Sequence, residues 1–563
     1  MTYEAPVRDM MFNIAHIAPN PGDLEMAAAV LEEFGRFCAE EVAPLNAPGD
    51  REGSRCDQGQ VQTPAGFRQA YGKYVAMGWQ GLVHPSEFGG QDLPRAVGAA
   101  AGEILNAANI SFALCPLLTD GAIEALRHFG CAQMKQTYLP KLVSGTWTGT
   151  MNLTEPQAGS DLALLRTRAD AQQNGTYKIT GTKIYITYGE HDLAENIIHL
   201  VLARTPDAPK GIKGISLFVV PKFLVSADAS LGPRNAVRCQ SIEHKLGVRA
   251  SPTCVMEFEG ATGFLIGREN AGLDYMFTMM NAARFAVGVQ GVAVGERAYQ
   301  QALAYAKTRL QGRPVDGSAQ GAVAIIHHPD VRRMLAHMRA TTEACRALSA
   351  VAAGWQDTSD VAMAEFLVPL VKGFCTEMSV HIASLGVQIH GGMGFIEDTG
   401  AAQHYRDARI LPIYEGTTAI QANDLLGRKT LRDGGATAGR IAEMIALTEQ
   451  DLQQGSSVAQ DIAARLGSAR QDFQAVVAHL LTSSPNQAYA GAVPYLMLAG
   501  NLVAGWQMAR AVLVAEAAQD CDHAFMSAKI ATAHFYAHHI LTETGLQRSR
   551  VIDGAASLLD TVF

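Results

Sequence analysis

The spacing of hydrophobic residues changes twice along this chain. From about Asp23 to Thr150, apolar residues recur every three or four positions, as on one face of an α-helix, and Asp23 has a side chain typical of a helix N-cap. From Met151 to about Phe264, short segments rich in β-branched residues alternate with Gly, Pro and Asp. This pattern predicts a small β-barrel or sandwich. Beyond it, helical spacing returns and continues to Phe563.

Individual elements can be predicted within these regions. We expect strands at Lys178 to Thr187, Ile197 to Ala203, Gly214 to Val220 and Cys254 to Glu259. A long helix is expected to start at Asn281-Ala-Ala-Arg284 and to end at Arg309. Another covers residues 371–385, with Pro369 near its start, where proline is tolerated.

The chain has 563 residues, which is too many for one ordinary hydrophobic core. The pattern predicts a mainly α protein with a central β domain, in four parts. These parts are an N-terminal segment and helical domain (1–150), a central β domain (151–265), a helical bundle (266–431) and an extra C-terminal helical domain (432–563).

Composition and charge narrow the class of protein. Apolar residues make up 48% of the chain and charged residues 18%, which is typical of a folded protein. The net charge is −9, and from Arg432 onward eight Lys and Arg stand against twelve Asp and Glu. A basic face for nucleic acid is therefore not expected.

The nine cysteines are scattered, odd in number and without a Cys-x-x-Cys pair, so we expect neither disulfides nor a metal site. The first residues contain no apolar signal core, and we expect a cytoplasmic protein. The most membrane-like stretch is Ala490 to Trp506. It contains Pro494 and Asn501 and is followed by Gln507, so we interpret it as a buried bundle helix and predict no membrane span.

One carboxylate, Glu415, stands between the apolar run Ile410 to Tyr414 and a Gly-Thr-Thr turn. Alone it would be an ordinary carboxylate at a helix start near a capping threonine. Five motifs precede it in the chain, and in this order they resemble the acyl-CoA dehydrogenase family. They are Thr154-Glu-Pro, Gly159-Ser-Asp, Tyr185-Ile-Thr187, Arg284 and Gln388-Ile-His-Gly-Gly392.

The resemblance covers residues from about 22 to 430 and implies N-terminal helices, a small β-barrel and a C-terminal four-helix bundle. The first dozen residues and the helical tail resemble a longer bacterial branch, which includes the 3-(methylthio)propanoyl-CoA dehydrogenases. The implied reaction is FAD-dependent 2,3-dehydrogenation of an acyl-CoA thioester to the trans-2-enoyl-CoA. An electron-transfer flavoprotein is the implied electron acceptor.

The residues make chemical sense in this reaction. It removes an α-proton and a β-hydride, and because no side chain accepts hydride, a redox cofactor is needed. The base works best in a dry pocket, where desolvation raises the pKa of a carboxylate. We expect residues 410–414 to line such a pocket around Glu415. The enolate-like oxygen also needs hydrogen-bond donors.

The resemblance implies a role for each remaining motif. Flavin or cofactor contacts are implied for Leu153, Thr154, Ser160, Tyr185, Ile186, Thr187, Arg309, Gln388, Gly391, Gly392, Thr417, Thr418 and Gln421. Substrate contacts are implied for Ser160, Asn281, Arg284 and Gly416. A cation near a helix start is unfavourable, so Arg284 indicates a local anionic partner, with a surface salt bridge as the alternative. His390 is interpreted as a packed histidine.

Two alternatives stay open. The flavin could be reoxidised by oxygen, which would make the protein an oxidase. The resembled family also contains a DNA-associated flavoprotein, although the acidic balance of the tail argues against DNA binding. Because the tail is expected to cover the surface through which shorter members pair dimers, we predict a homodimer.

Overall fold

The computed structural model describes residues 3–226, 228–518 and 522–563; Cys521 lies outside them. Its helices are α1 (Val7–His16), α2 (Leu24–Phe37), α3 (Asn46–Glu52), α4 (Phe67–Ala76), α5 (Arg95–Phe129), α6 (Ala132–Val143), α7 (Gly272–Thr308), α8 (Pro329–Gln356), α9 (Val361–Pro369), α10 (Cys375–His390), α11 (Ala401–Ala408), α12 (Thr418–Leu426), α13 (Ala436–Leu452), α14 (Ser457–Thr482), α15 (Pro485–Ala490), α16 (Ala492–Ala517), α17 (His523–His539), α18 (Glu543–Ile552) and α19 (Ala555–Leu559). Its strands are β1 (Arg55–Asp57), β2 (Gln60–Gln62), β3 (Trp147–Asn152), β4 (Arg168–Ala171), β5 (Tyr177–Thr187), β6 (Asn196–Ala203), β7 (Ser216–Pro221), β8 (Phe223–Val225), β9 (Leu231–Arg234), β10 (Val237–Ile242) and β11 (Thr253–Leu265).

The chain divides into two compact units. We call Arg36–Leu93 with Ala108–Ala283 the sheet unit, and Met1–Gly35, Pro94–Ala107 and Arg284–Phe563 together the helical unit. One division falls inside α5, where Asn109 leaves the helical conformation. The Asn109 side chain accepts a hydrogen bond from the Phe112 backbone N–H at 3.1 Å and so starts the second half of the helix.

The sheet unit is built on one seven-stranded sheet in the order β3-β6-β7-β11-β5-β4, with β10 also paired to β11. Strands β3 and β6 are parallel, and the other pairs are antiparallel. Every residue of β6 is buried; the strand is mostly apolar, and its polar His199 contacts the Thr150 hydroxyl through Nδ1 at 3.0 Å. Backbone pairing of Arg168 on β4 with Arg204 after β6 curls the sheet toward a closed form.

The helical unit has a core shared by the predicted bundle and the C-terminal tail. Phe374 and Leu370 pack in one buried cluster with Tyr495 and Leu496 of α16. The backbone of Gly500 on α16 packs directly against the Phe374 ring, because an added Cβ at Gly500 would lie 2.4 Å from that ring. The tail therefore completes the core of the bundle, while the predicted domain boundaries stay predictions.

A buried guanidinium ties three distant segments of the helical unit together. Arg346 on α8 donates to Glu103 of α5 at 2.6 Å, to Glu296 of α7 at 2.6 Å and to Asp9 of α1 at 2.7 Å. All four side chains are buried. Burial raises the pKa of Glu103 to about 7, although the positive charge of Arg346 opposes this rise.

The same cluster reaches the tail. Lys529 on α17 donates to Asp9 at 2.6 Å and to Glu343 of α8 at 2.8 Å. Burial opposes ionisation of Asp9, but Lys529 and Arg346 outweigh it and lower the pKa of Asp9 to about 2. The N-terminal helix α1 is thus held between the bundle and the tail.

Several predicted boundaries are corrected. The long helix α7 begins at Gly272, so the prediction that Asn281 and Arg284 lie at a helix start is wrong. Pro369 is the last residue of α9 and precedes a π-helical segment, Leu370–Phe374, so its placement near a helix start is also wrong. The N-terminal region contains the hairpin β1–β2 besides its helices, because a short turn at residues 58–59 lets the chain pair with itself.

Three helical stretches are long and apolar enough, by length and composition, to cross a membrane. They are Arg95–Phe129, Val361–Phe395 and Ala492–Ala517, and 94%, 72% and 78% of their apolar windows are buried inside the protein. On length and composition, the prediction of no membrane-spanning stretch is therefore contradicted. Their burial agrees with the interpretation of Ala490 to Trp506 as a packed helix.

Candidate active site

Glu415 lies in a tight turn that leads directly into helix α12. Its backbone is left-handed, with φ of 53°, and Gly416 follows with φ of 90°. A side chain at 416 is disfavoured by this left-handed backbone, and an added Cβ would also press on Nε2 of Gln421, at 2.7 Å. The Thr417 hydroxyl caps α12 by accepting from the Ile420 backbone N–H at 3.3 Å. A strained non-glycine residue in such a turn is typical of functional sites.

Lys372 hydrogen-bonds the backbone of this turn. This contact was not predicted from the sequence. Its side chain is fully buried in the π-helical segment and donates to the carbonyl oxygens of Leu411, at 2.9 Å, and Gly416, at 2.6 Å. Burial lowers the pKa of Lys372 to about 7, while the nearby Glu415 and Glu377 carboxylates oppose this and Arg284 adds to it. A lysine in a helix gives no sequence signal of a contact some forty residues further along the chain.

Arg284 provides a second buried cation beside Glu415. Its Nη1 lies 3.7 Å from Oδ2 of Asp424, and Asp424 also accepts from Arg428 at 2.5 Å. Neither Nε nor Nη1 of Arg284 has a hydrogen-bond partner in the described part of the chain. The predicted anionic partner is therefore present, as Asp424, although the predicted helix start is wrong. The Nε and Nη1 groups of Arg284 are left to donate to a ligand. Because the side chain is 4% exposed, the alternative of a surface salt bridge fails.

The environment of Glu415 suits a general base. The residue is half-buried, and desolvation raises the pKa of its carboxyl group, while Arg284 and Lys372 act in the opposite direction. Burial makes the carboxylate a stronger proton acceptor, and the positive charges of Arg284 and Lys372 favour its ionised form. The predicted dry lining is only partly buried, because Leu411 is fully buried but Ile413 is 47% exposed.

Other side chains fix the shape of this region. Gln421 is buried and its amide donates to the carbonyl oxygens of Glu415 and Gly416, both at 3.3 Å. The Thr418 hydroxyl donates to Glu377 at 2.5 Å. The side chains of Thr417, Thr418 and Gln421 thus hold protein groups here, and their predicted flavin contacts stay predictions.

The tyrosine before the base is anchored separately. The Tyr414 hydroxyl donates to Gln290 of α7, and Gln290 in turn donates to Asn106 of α5 at 2.8 Å. Burial and the adjacent Glu415 charge hold the pKa of Tyr414 well above its usual range. This relay joins the turn to two neighbouring helices of the helical unit.

In the sheet unit, Tyr185 is an exposed aromatic side chain on a strained backbone. It lies near the end of β5, at a shift in the pairing register with β11, and has φ of 61°. Its side chain is 61% exposed, whereas Ile186 is buried and Thr187 is half-buried. A bulge that turns a ring outward is typical of a ligand site.

The turn before this strand is organised around Glu155. The carboxylate accepts from Lys183 at 2.9 Å and from the Thr167 hydroxyl at 2.6 Å, and Lys183 also donates to the Leu153 carbonyl oxygen at 2.9 Å. The Thr154 carbonyl accepts from the backbone N–H of Ile184 at 2.9 Å. Ser160 is exposed and Glu155 is buried, so the acidic residue of the motif is structural.

The remaining predicted cofactor residues lie at the surface of the helical unit. Arg309 is exposed directly after α7, and Gln388, Gly391 and Gly392 are exposed at the end of α10. Asn281, on the part of α7 that belongs to the sheet unit, is half-buried.

The interpretation of His390 as a packed histidine is confirmed. Its Nδ1 lies 2.7 Å from the Gly386 carbonyl oxygen, and its ring stacks on Tyr305. Burial lowers the pKa of His390.

Comparison with known proteins decides the family. The N-terminal, middle and C-terminal domain profiles of acyl-CoA dehydrogenases match residues 25–146, 150–261 and 270–430. A profile described as acetyl-CoA dehydrogenase C-terminal like matches residues 437–561. The chain is 60% identical to a Ruegeria pomeroyi protein named 3-methylmercaptopropionyl-CoA dehydrogenase, over 99% of each chain. This chain belongs to the acyl-CoA dehydrogenase family.

Solved structures agree on the fold. Caenorhabditis elegans ACDH-11 in complex with C11-CoA has a TM-score of 0.79 at 20% identity, covering 98% of this chain and 96% of the other. A Bacillus anthracis acyl-CoA dehydrogenase complexed with FAD has a TM-score of 0.76 at 22% identity, covering 97% and 92%. The predicted fold class and family are confirmed.

Acyl-CoA dehydrogenases are FAD-dependent oxidoreductases, and the chain fits the cofactor. An exposed aromatic ring on a strained strand offers a flat surface for a flavin.

Proposed function

We propose that this acyl-CoA dehydrogenase oxidises an acyl-CoA thioester to the trans-2-enoyl-CoA, with Glu415 as the base. Glu415 takes the proton from the α-carbon. The electron pair of the broken C–H bond forms the new double bond as the β-hydrogen leaves. Bound FAD supplies the acceptor for this hydrogen as hydride. The products are the enoyl thioester, reduced flavin and a protonated Glu415.

The observation that carries this proposal is the setting of the Glu415 carboxyl group. Desolvation raises its pKa, while Arg284 and Lys372 favour its ionised form. These opposing effects are what a general base needs, because it must be ionised before reaction and must accept a proton readily during it. A carboxylate that only capped α12 would not need two buried cations, and Thr417 already provides the cap.

Binding of the thioester is assigned to the same turn. Arg284 has unpartnered N–H groups among the described residues, and these could donate to an oxygen of the substrate. Gly416 carries no side chain at a position where its left-handed backbone favours glycine. Positioned donors stabilise the negative charge that develops on the thioester oxygen as the α-proton leaves.

The proposed substrate is a short thioether thioester, 3-methylmercaptopropionyl-CoA. The support is the 60% identity to the Ruegeria pomeroyi protein of that name over 99% of both chains. The test is anaerobic reduction of the bound flavin by a panel that contains this thioester and straight-chain thioesters of increasing length. Preference for the thioether by kcat/KM is expected, and a clear preference for a longer straight chain would contradict it.

We further propose that an electron-transfer flavoprotein reoxidises the enzyme, and that the protein is a cytoplasmic homodimer. Turnover with that acceptor and negligible peroxide without it would support a dehydrogenase, whereas rapid peroxide formation in air would show an oxidase. Sedimentation measures the assembly, and a tetramer mass would contradict the dimer. Neither result depends on the identity of the acyl group.

A further inference from the structure

Two histidines and an aspartate converge on the surface of the C-terminal tail. His534 and His538 are four residues apart on α17 and therefore share one face of the helix. Their Nε2 atoms lie 3.0 Å and 2.5 Å from Oδ2 of Asp461, which projects from α14. These three residues form the only group of three or more His, Cys, Asp or Glu side chains within metal-binding reach among the described residues.

The spacing is close to that of a metal site. Zinc bonds of roughly 2.0–2.2 Å to nitrogen and oxygen place the ligands of a tetrahedral site about 3.3 Å apart. The two nitrogen–oxygen separations are shorter than this, and all three ligand atoms lie within 4.8 Å of one another, so small side-chain movements would admit an ion. Such movement is accessible, because the three side chains are between 33% and 41% exposed. The two imidazole rings lie edge to face, with centroids 4.7 Å apart and planes at 84°.

The surroundings leave room for the rest of a coordination shell. A surface depression of about 590 Å³ reaches His534 and is lined also by Ser456, Ser527 and Glu516. Of the three ligands, only His534 lines this depression; at zinc sites with three protein ligands, water completes the shell. This site was not predicted from the sequence. Cysteines were considered there, whereas these ligands are His and Asp residues from two helices some seventy residues apart in the chain.

We propose that Asp461, His534 and His538 form a Zn²⁺ site that joins helix α14 to helix α17. Two imidazoles and one carboxylate are a donor set that zinc accepts readily. The competing interpretation is a pair of histidine–carboxylate hydrogen bonds without any ion. The site is separate from the residues around Glu415, and its role is to fasten the tail helices. It does not depend on the proposed reaction.

The test is a calorimetric titration of the FAD-loaded, metal-stripped full chain with ZnCl₂. The variants His534→Ala, His538→Ala and Asp461→Asn each remove one ligand. His539→Ala is the matched control, because His539 is an exposed neighbour on the same helix that stacks on Phe535 and lies outside the cluster. We expect one saturable site per chain, weakened at least about tenfold in each ligand variant and unchanged in the control.

Thermal unfolding gives an independent readout, because an ion that binds only the folded chain raises Tm with its concentration. Zn²⁺ should raise the Tm of the wild-type chain and of His539→Ala, and at the same concentration should raise that of His534→Ala clearly less. Absence of a saturable site in the wild-type chain, or equal binding by the wild type and the ligand variants, would overturn the proposal. Either result would leave only the hydrogen-bonded cluster.

Discussion

The buried Nζ of Lys372 lies 2.6 Å from the carbonyl oxygen of Gly416, the residue that directly follows Glu415. With its second bond to the Leu411 carbonyl, Lys372 spans the base of the turn that presents the carboxylate. It acts on Glu415 in two ways, since it fixes the backbone on both sides and its charge favours the ionised carboxylate. Lys372 is therefore a positioning residue for the proposed reaction.

Replacement of this lysine should change the pH dependence of catalysis. The acid limb of kcat/KM reports ionisation of the base in the free enzyme. Because the charge of Lys372 lowers the pKa of Glu415, Lys372→Met should move this limb to higher pH and lower kcat. Lys372→Arg keeps the charge and should shift the limb less. An unmoved acid limb in Lys372→Met, with flavin still bound, would restrict the lysine to a packing role.

Arg346 should be among the residues most important for stability. Arg346→Met leaves Glu103 and Glu296 buried without their cation, which typically costs 3–5 kcal/mol, so we expect a loss of about that size at neutral pH. Arg339→Met is the control, because Arg339 is partly exposed and Lys529 still contacts its partner Glu343. Its loss should be about 1 kcal/mol or less. Urea unfolding measures both, and equal losses would contradict the network.

Glu103 should give the folded chain a stability that falls as pH rises. Its pKa is raised from 4.5 to about 7, chiefly by burial. Between these values the folded chain keeps a proton that the unfolded chain has released, so the free energy of unfolding falls through this window. Glu103→Gln should remove this pH-dependent loss of stability. The urea midpoint of the variant should therefore rise relative to that of the wild type as pH increases. The exposed Glu25→Gln should track the wild type, and parallel curves for all three proteins would contradict the assignment.

Substitution of Tyr185 by glycine should change the stability of the protein and its affinity for FAD in opposite directions. Its left-handed backbone is strained by about 1–3 kcal/mol, and its exposed ring packs little in the sheet unit. Tyr185→Gly should therefore raise the stability of the flavin-free protein by about 1 kcal/mol while weakening FAD binding about tenfold. Tyr185→Phe should leave both unchanged. Full FAD affinity in Tyr185→Gly would show that the ring does not contact the flavin.

The fold class and the turn at Glu415 could be predicted from the sequence, because hydrophobic periodicity and the order of the motifs are both visible in a single sequence. Prediction failed where the answer depends on contacts between distant segments. The helix α7 starts at Gly272, before the predicted start at Asn281. Lys372 and the proposed zinc ligands Asp461 and His538 gave no local signal. The buried cluster around Arg346 joins residues more than three hundred positions apart.

The central claim is that the Glu415 carboxylate removes the α-proton, and Glu415→Gln tests it most directly. The amide has nearly the same size but cannot accept this proton, so the variant should fold, bind FAD and bind the thioester. Anaerobic mixing with 3-methylmercaptopropionyl-CoA, followed by the bleaching of the flavin, measures the step alone. We predict a reduction rate lowered by roughly 10²–10⁴-fold, the usual contribution of a general base. Flavin reduction at the wild-type rate would contradict the account.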